Sequence, residues 1–342
     1  MTRERIVAPS QIDPEEDSLQ LTLRPKTLDE YIGQKELKGK LRVALDAARK
    51  RKEAVEHVLF YGPPGLGKTT LAHIIANEMG TKILTTAGPA LQRTGDLMGV
   101  LTSLNDGDIL FIDEIHRLSP AIEEFLYPAM EDFKVDFVVD KGAFAKVINV
   151  PLKKFTMIGA TTRAGMLTAP LRDRFGLFYH LDFYPADELK QIVLRSARLL
   201  ETKVDNKSAD DIACRARGTP RVANRLLRRV RDYASVKGNG IVESAIACAA
   251  LEAEGIDTVG LDQLDRKLLK VVIEYYKGGP VGIEALGATL NEEVDTLVDM
   301  VEPFLLKIGY IQRTSRGRVA SSAAAQHLGL RLPGAPGQET LF

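Results

Sequence analysis

Lys68 and Thr69 close the stretch Gly62-Pro-Pro-Gly65-Leu-Gly67-Lys68-Thr69, which directly follows the apolar run Val58–Tyr61 and directly precedes the helix-like Leu71-Ala-His-Ile-Ile. A glycine-rich turn between a strand and a helix lets backbone N–H groups wrap a polyphosphate, and the positive end of the helix adds to the field. In such a loop Lys68 neutralises the β and γ phosphates and the Thr69 hydroxyl ligates Mg²⁺. A second motif completes the chemistry. Asp108-Ile-Leu-Phe-Ile-Asp113-Glu114 reads as a buried strand that delivers two carboxylates at its C-terminal end, where ligands of open α/β sheets bind. Asp113 is expected to hold hydrated Mg²⁺, and Glu114 to orient and polarise a water for in-line attack on the γ-phosphate.

Other polar positions make sense around the same ligand. Thr161 ends the core run Ile158-Gly-Ala-Thr-Thr162 and is the expected γ-phosphate sensor, with Thr162 the neighbouring alternative. In Gly218-Thr-Pro-Arg221 a cap residue and a proline at the first helical position place Arg221 in the first turn, where a cation opposes the helix dipole and so is expected to answer an external anion. Arg174, in Arg172-Asp-Arg174-Phe just past the sensor, can point away from its own nucleotide toward a neighbour's. Far downstream, Lys307, Arg313, Arg316 and Arg318 fall in a stretch from 303 to 330 that has no acid, a strip suited to nucleic-acid phosphates.

Positioning these groups requires an α/β domain over residues 21–185, with strands expected at 58–61, 83–87, 109–112, 156–160 and 178–183 in a parallel sheet covered by helices. The segment 135–150 breaks the alternation and reads as a projecting β-hairpin, with ordinary covered edge strands as the alternative. Its Phe137, Val139 and Phe144 have little core of their own to enter and suggest a partner surface. Helical spacing over 186–256 predicts a small helical domain, and three short helices with a β-turn at 315–317 predict a winged helix over 257–330. Residues 1–20 and 331–342 are polar or Pro/Gly-containing and are expected to be mobile. Lys and Arg total 46 and Asp and Glu also 46, so any nucleic-acid site must be a local patch rather than a global field. Cys214 and Cys248, without a CxxC partner, are expected to be small buried hydrophobes in a reducing, cytoplasmic compartment.

The strings Leu23-Arg-Pro25, Tyr31-Ile-Gly-Gln34, the loop through Thr70, Ile112-Asp-Glu-Ile-His-Arg-Leu118, Tyr127-Pro-Ala-Met-Glu-Asp132, Gly159-Ala-Thr-Thr-Arg-Ala-Gly165, Leu171-Arg-Asp-Arg-Phe-Gly176 and Arg217-Gly-Thr-Pro-Arg221 occur in that order. Over residues 20–330 the chain thereby resembles the RuvB family of bacterial Holliday-junction branch-migration motors. The resemblance implies an AAA+ ATPase using ATP and Mg²⁺, with a P-loop domain, a helical lid and a winged-helix head. It also implies a homohexameric ring around duplex DNA that works with RuvA and RuvC. Leu23, Arg24, Gly65, Gly67, Thr70, Tyr184 and the segment Glu131-Asp132-Phe133 would belong to the nucleotide pocket. Arg174 would be the finger acting on a neighbour's nucleotide, Arg221 the lid sensor, the hairpin the RuvA dock, and Arg313 and Arg318 DNA contacts. Two positions depart from the family's habit: Ser315 stands where proline is frequent, and Val294 where a basic residue is common. Rival readings are a clamp-loader-like ATPase and a non-processive ATP-gated DNA-binding switch. The terminal Gln338-Glu-Thr-Leu-Phe342 resembles peptides that dock on the replication sliding clamp, the alternative being an unselected tail.

Overall fold

The computed structural model describes residues 22–139 and 146–332, and of residues 137–139, 146 and 147 the backbone alone. The expectations for Phe144, for the N-terminal segment and for the clamp-like tail fall outside it. The chain divides into two compact units, one ending at Tyr184 and one starting at Pro185.

The first unit runs α1 (Lys35–Arg51), β1 (Val58–Tyr61), α2 (Lys68–Met79), β2 (Ile83–Ala87), α3 (Thr94–Thr102), β3 (Ile109–Asp113), α4 (Pro120–Glu131), β4 (Lys134–Val139), β5 (Lys146–Pro151), β6 (Thr156–Thr161), α5 (Ala169–Arg172) and β7 (Leu177–His180). Five strands pair in parallel in the order β2-β3-β6-β1-β7. The inner strands β1, β3 and β6 are buried almost throughout, which is why they read as continuous apolar runs rather than alternating ones. Gly159, midway along β6, has no side chain because one would meet Phe175 at 3.0 Å and Ile115 and Leu59 at 3.1 Å. The last strand is shorter than expected and stops at His180. Beyond it the Asp182 carbonyl accepts from the Gln34 side chain at 2.6 Å, and the Asp182 carboxylate takes the Phe183 N–H at 3.0 Å, so neither group serves a ladder.

β4 and β5 form a separate antiparallel pair, with Phe137 opposite Ile148 and Val139 opposite Lys146. They are not edge strands of the main sheet. Their base is tied to the core, through buried Val135 and through Phe133, Val150 and Leu152 packed against it.

The second unit begins with α6 (Ala186–Leu199), α7 (Asn206–Arg215), α8 (Pro220–Lys237) and α9 (Ser244–Ala253). Cys214 is exposed, contrary to expectation, because Ile212, Ala213 and Arg215 occupy the buried face of α7. Then follow α10 (Gln263–Lys270), prolonged by a π-turn at Val271–Tyr275, α11 (Ile283–Leu290), α12 (Val294–Thr296), α13 (Glu302–Lys307), β8 (Ile311–Thr314), β9 (Gly317–Ala320) and α14 (Ser322–His327) around a single apolar cluster. Helix α14 is an addition to the expected winged helix. It is a short alanine-rich segment with no apolar period to reveal it, started by Ser321, whose hydroxyl accepts the Ala324 N–H at 3.2 Å. Among the described residues no helix is long and apolar enough to cross a membrane.

One buried ion pair joins the two parts of this unit. Arg217, 4% exposed, donates to both carboxylate oxygens of Asp265, fully buried, at 3.0 and 3.2 Å, and to the Met300 carbonyl at 3.3 Å, and lies 4.6 Å from the centre of the Phe304 ring. Asp265 also takes part in the reciprocal cap of α10 with Asp262. Removing the arginine would strand a carboxylate in the interior, which costs about 3–5 kcal/mol, whereas replacing both partners by apolar residues costs far less. Arg217→Met is therefore expected to lower the stability of this unit by that amount in denaturant unfolding, and Arg217→Met with Asp265→Leu to recover most of it.

Candidate functional site

Three neighbouring strands, β3, β6 and β1, end at one edge of the sheet, and each is followed by a functional segment. After β1, Gly62, Gly65 and Gly67 all take positive φ, at 139°, 79° and 100°. A side chain on Gly62 would collide with the Leu181 carbonyl at 2.3 Å, so the turn requires glycine there. The loop opens α2 at Lys68, whose ammonium donates to the carbonyls of Gly62 at 2.7 Å and Pro63 at 2.9 Å and closes the turn on itself. Thr69 and Thr70 follow in the first turn of α2. From behind, the Tyr31 and Tyr184 hydroxyls, 2.7 Å apart, both face the Leu66 carbonyl at 3.4 Å. Tyr184 is 3% exposed and braces the loop. Buried Leu23 leads a segment that docks on α2, where Asn77 donates to the Lys26 carbonyl at 3.2 Å and the Leu28 N–H to Glu78 at 3.0 Å. Burial lowers the pKa of His73 on α2, and the charge of Arg24 lowers it further.

After β3, the Asp113 carboxylate accepts the Glu114 N–H at 3.0 Å, and Glu114 has a left-handed backbone with φ 48° and ψ 47°. This conformation costs a non-glycine residue energy and clusters at functional sites. Gly88 makes room for it, since a side chain there would meet the Glu114 carbonyl at 2.5 Å. The Glu114 carboxylate contacts His116 at 3.2 Å and accepts from the Thr162 hydroxyl at 3.3 Å. Thr161, the first choice for a sensor, is wholly buried. Its hydroxyl lies 3.0 Å from His116 and accepts the Arg163 N–H at 3.0 Å. The hydroxyl that reaches the carboxylate belongs to Thr162, since the strand's last inward position is taken up by His116.

The opposite edge of the sheet holds a different group. His57, immediately before β1, accepts the Gly176 and Leu177 N–H groups on its carbonyl at 3.0 and 3.1 Å, which places Arg174 at the end of β1 away from the phosphate loop. The Arg174 guanidinium donates to the Pro170 carbonyl at 2.6 Å and to Glu131 at 3.1 Å, and lies 4.3 Å from the centre of the Tyr127 ring. Glu131, Asp132 and Phe133 sit at this same edge. They lie away from this chain's own loop, because β1 lies between, about 13 Å of strand for four residues.

In the second unit, Arg221 stands in the first turn of α8, which contains no acid. The expected cap does not form: the Thr219 hydroxyl donates instead to the Ala216 carbonyl at 3.3 Å. On the wing, Arg313 is ion-paired with Glu302, and Arg318 grips the same carboxylate at 2.7 and 3.2 Å. Arg316 is exposed at the turn. Burial alone would raise the Glu302 pKa, but the hydrogen bonds from the two arginines outweigh it and hold the carboxyl below its ordinary value.

A family profile described as the Holliday junction DNA helicase RuvB P-loop domain matches residues 23–181, the RuvB AAA lid domain matches 184–257, and the RuvB C-terminal winged helix domain matches 258–329. The chain belongs to the RuvB family. A Holliday junction branch migration complex subunit RuvB from Kosmotoga olearia is 56% identical over 327 residues, 96% of this chain and 95% of that protein. A Thermotoga maritima RuvB Holliday junction branch migration motor superposes with a TM-score of 0.85 at 50% identity, over 91% of this chain and 100% of the other. The fold is thus that of an AAA+ P-loop ATPase with a lid and a winged-helix domain, and the loop after β1 is its nucleotide-binding element.

Three participants receive no role from the sequence, although Tyr31 and His116 lie within the family strings. His116 joins Glu114 to Thr161, Tyr31 supports the loop from behind, and Glu302 gathers the wing arginines. For His116 alone a local signal exists, its place two residues after Glu114 at the end of a core strand. Thr162→Val is expected to lower ATP turnover with little loss of melting temperature. Thr161→Val removes two hydrogen bonds from a wholly buried hydroxyl and should instead cost about 1–3 kcal/mol of stability. Steady-state ATPase assays beside thermal melts separate the two.

Proposed function

We propose that the chain is the ATP-driven motor of Holliday-junction branch migration, acting as a cytoplasmic homohexameric ring in which each ATP is hydrolysed between two copies. The observation that carries this reading is the separation of Arg174 from the phosphate loop by the length of β1. An arginine held at that edge serves a nucleotide only if the nucleotide belongs to the next copy. Lys68 and the loop amides hold the polyphosphate. Thr69 and Asp113 supply the hard oxygen donors that suit Mg²⁺, which would neutralise charge on the β and γ phosphates. Glu114 orients the attacking water, Thr162 tethers Glu114 and senses the γ-phosphate, and Arg221 reports nucleotide state in the lid. Glu131, Asp132 and Phe133 face the neighbour's nucleotide together with Arg174. The separate hairpin supports docking of RuvA, with RuvC joining the larger complex.

On the head, the exposed Arg316 and the paired Arg313 and Arg318 follow the phosphates of a duplex arm. A clamp-loader-like ATPase has no use for such a wing. A non-processive switch would hydrolyse ATP stoichiometrically rather than in DNA-stimulated steady turnover, so a turnover assay on a synthetic four-way junction decides between switch and motor.

Arg174→Ala is expected to lower turnover by about 10³-fold or more while leaving ATP binding intact. Rings mixed from Arg174→Ala and Glu114→Gln subunits are expected to regain hydrolysis, because some interfaces recover both groups. Verified mixed rings without recovery would show that the arginine does not act across copies.

Alanine at both Arg313 and Arg318 would abandon the buried Glu302, so Glu302→Gln is added to keep the head folded. This triple variant is expected to flatten the plot of log DNA affinity against log salt by about 0.9 for each phosphate that is no longer neutralised, with ATP binding unchanged. An identical slope would exclude the wing from the backbone.

A further inference from the structure

His57 is a buried side chain that the nucleotide chemistry does not use, and both ring nitrogens are committed. Nδ1 accepts the Met157 N–H near the start of β6 at 2.8 Å, which fixes the tautomer and leaves Nε2–H to donate to the Met130 carbonyl at 3.0 Å. Burial lowers the pKa, in keeping with a neutral ring. The Met130 carbonyl lies in the last turn of α4, where helix carbonyls lack intrahelical donors. That half of α4 is intrinsically weak, because Pro128 inside the helix withholds a hydrogen bond from the turn before it. Yet it carries Tyr127 and Glu131, two of the groups that hold the Arg174 guanidinium, the third being the Pro170 carbonyl. The arginine's own chain is tied to the same residue, since the His57 carbonyl takes the N–H groups of Gly176 and Leu177. A side chain on Gly176 would meet Glu56 at 2.2 Å, so the two segments run in close contact. The imidazole clusters with Phe155 and Phe133, at ring separations of 5.7 and 6.3 Å, and the Phe133 carbonyl accepts the Leu152 N–H at 2.7 Å, closing the base of the hairpin.

We propose that His57 is a positioning residue for Arg174: through Nε2 it clamps the end of α4 that carries Tyr127 and Glu131, and through its carbonyl it clamps the segment after the arginine, with β6 as the fixed reference. The proposal rests on the reading that Arg174 acts on a neighbouring copy's nucleotide. It differs from a merely packed core histidine in what it predicts for catalysis. A histidine that only fills space contributes stability, whereas one that places the finger affects turnover without affecting nucleotide affinity.

The test uses full-length rings and two variants that divide the hydrogen bonds. The carboxamide of His57→Asn lies near the Nδ1 position and keeps an acceptor for Met157, but loses the bond to Met130. His57→Gln reaches the Nε2 position and keeps the donor to Met130. His57→Asn is expected to lower kcat by about 10²-fold, the size of a small misplacement of a catalytic group, with KM for ATP little changed. His57→Gln should lose much less. If His57→Asn does not fold, His57→Phe, which keeps an aromatic ring against Phe133 and Phe155 and loses both bonds, takes its place with the same expected outcome. Mixing the defective variant with Glu114→Gln subunits should restore turnover, as for Arg174→Ala. A normal kcat, an equal loss in the Gln and Asn variants, or recovery with Arg174→Ala but not with the His57 variant would overturn the proposal and leave the composite site standing. No recovery for Arg174→Ala in verified mixed rings would overturn the composite site and the proposal with it.

Discussion

The common direction of the five strands sets the terms for everything else in the first unit. In a parallel sheet, whatever follows a strand gathers at one edge and whatever precedes a strand gathers at the other. The phosphate loop, the Asp113–Glu114 pair and Thr162 follow β1, β3 and β6, and these strands are neighbours in the sheet. Arg174 lies between the ends of β6 and β7, and its position could have favoured either edge. Two contacts decide it: Phe175 packs on Gly159 in the middle of β6, and the next two N–H groups bond to His57 ahead of β1. A chain folded this way has its phosphate loop at one edge and Arg174 at the other, the division on which the proposed composite site rests.

Charge is handled differently in the second unit. The chain as a whole is neutral, and in this unit two buried carboxylates are answered by guanidiniums within a few ångströms. Asp265 answers Arg217, and Glu302, 1% exposed, answers both Arg313 and Arg318. A buried carboxylate shared by two guanidiniums orients them at the cost of one unit of the wing's positive charge. Because the folded pKa of Glu302 is lowered, its contribution to stability is fully present above the ordinary carboxylate value of 4.5 and is lost as pH falls through the lowered one. At neutral pH the arrangement is therefore fixed, and the wing keeps a net positive charge from the surplus arginine of the trio and from exposed Arg316.

The elements that carry the chemistry were legible because each has a local cause. A strand that must be buried on both faces reads as an apolar run, and a loop that must wrap phosphate needs its glycines, so the loop, the paired carboxylates and the strands β1, β2 and β3 can be read from the chain alone. The misses share a different origin. Thr161 and Thr162 are adjacent and chemically identical. Only the presence of His116 beneath Thr161 separates them, and that contact spans 45 residues. Cys214 faces solvent because of which stripe of α7 the neighbouring helices cover, and Glu302 lies outside the acid-free stretch that defined the basic strip. The placement of Glu131 beside Arg174 depends on how α4 crosses the sheet, which no window of sequence reports.

Strand β6 ties these observations together. It is six residues long and buried at every one. Near its beginning the Met157 N–H is held by His57, and just beyond its end Thr162 reaches Glu114. At the near end, His57 also holds α4 and the arginine segment; at the far end, Glu114 is pinned by its left-handed backbone, by Asp113 at its N–H and by Gly88 against its carbonyl. A strand buried on both faces between two paired neighbours cannot stretch or slip register without breaking a ladder of hydrogen bonds, so it behaves as a strut. The strut fixes the distance between the edge that carries the phosphate loop and the edge that carries Arg174. Under the proposed composite site, that distance is what would let the state of one nucleotide bear on the next.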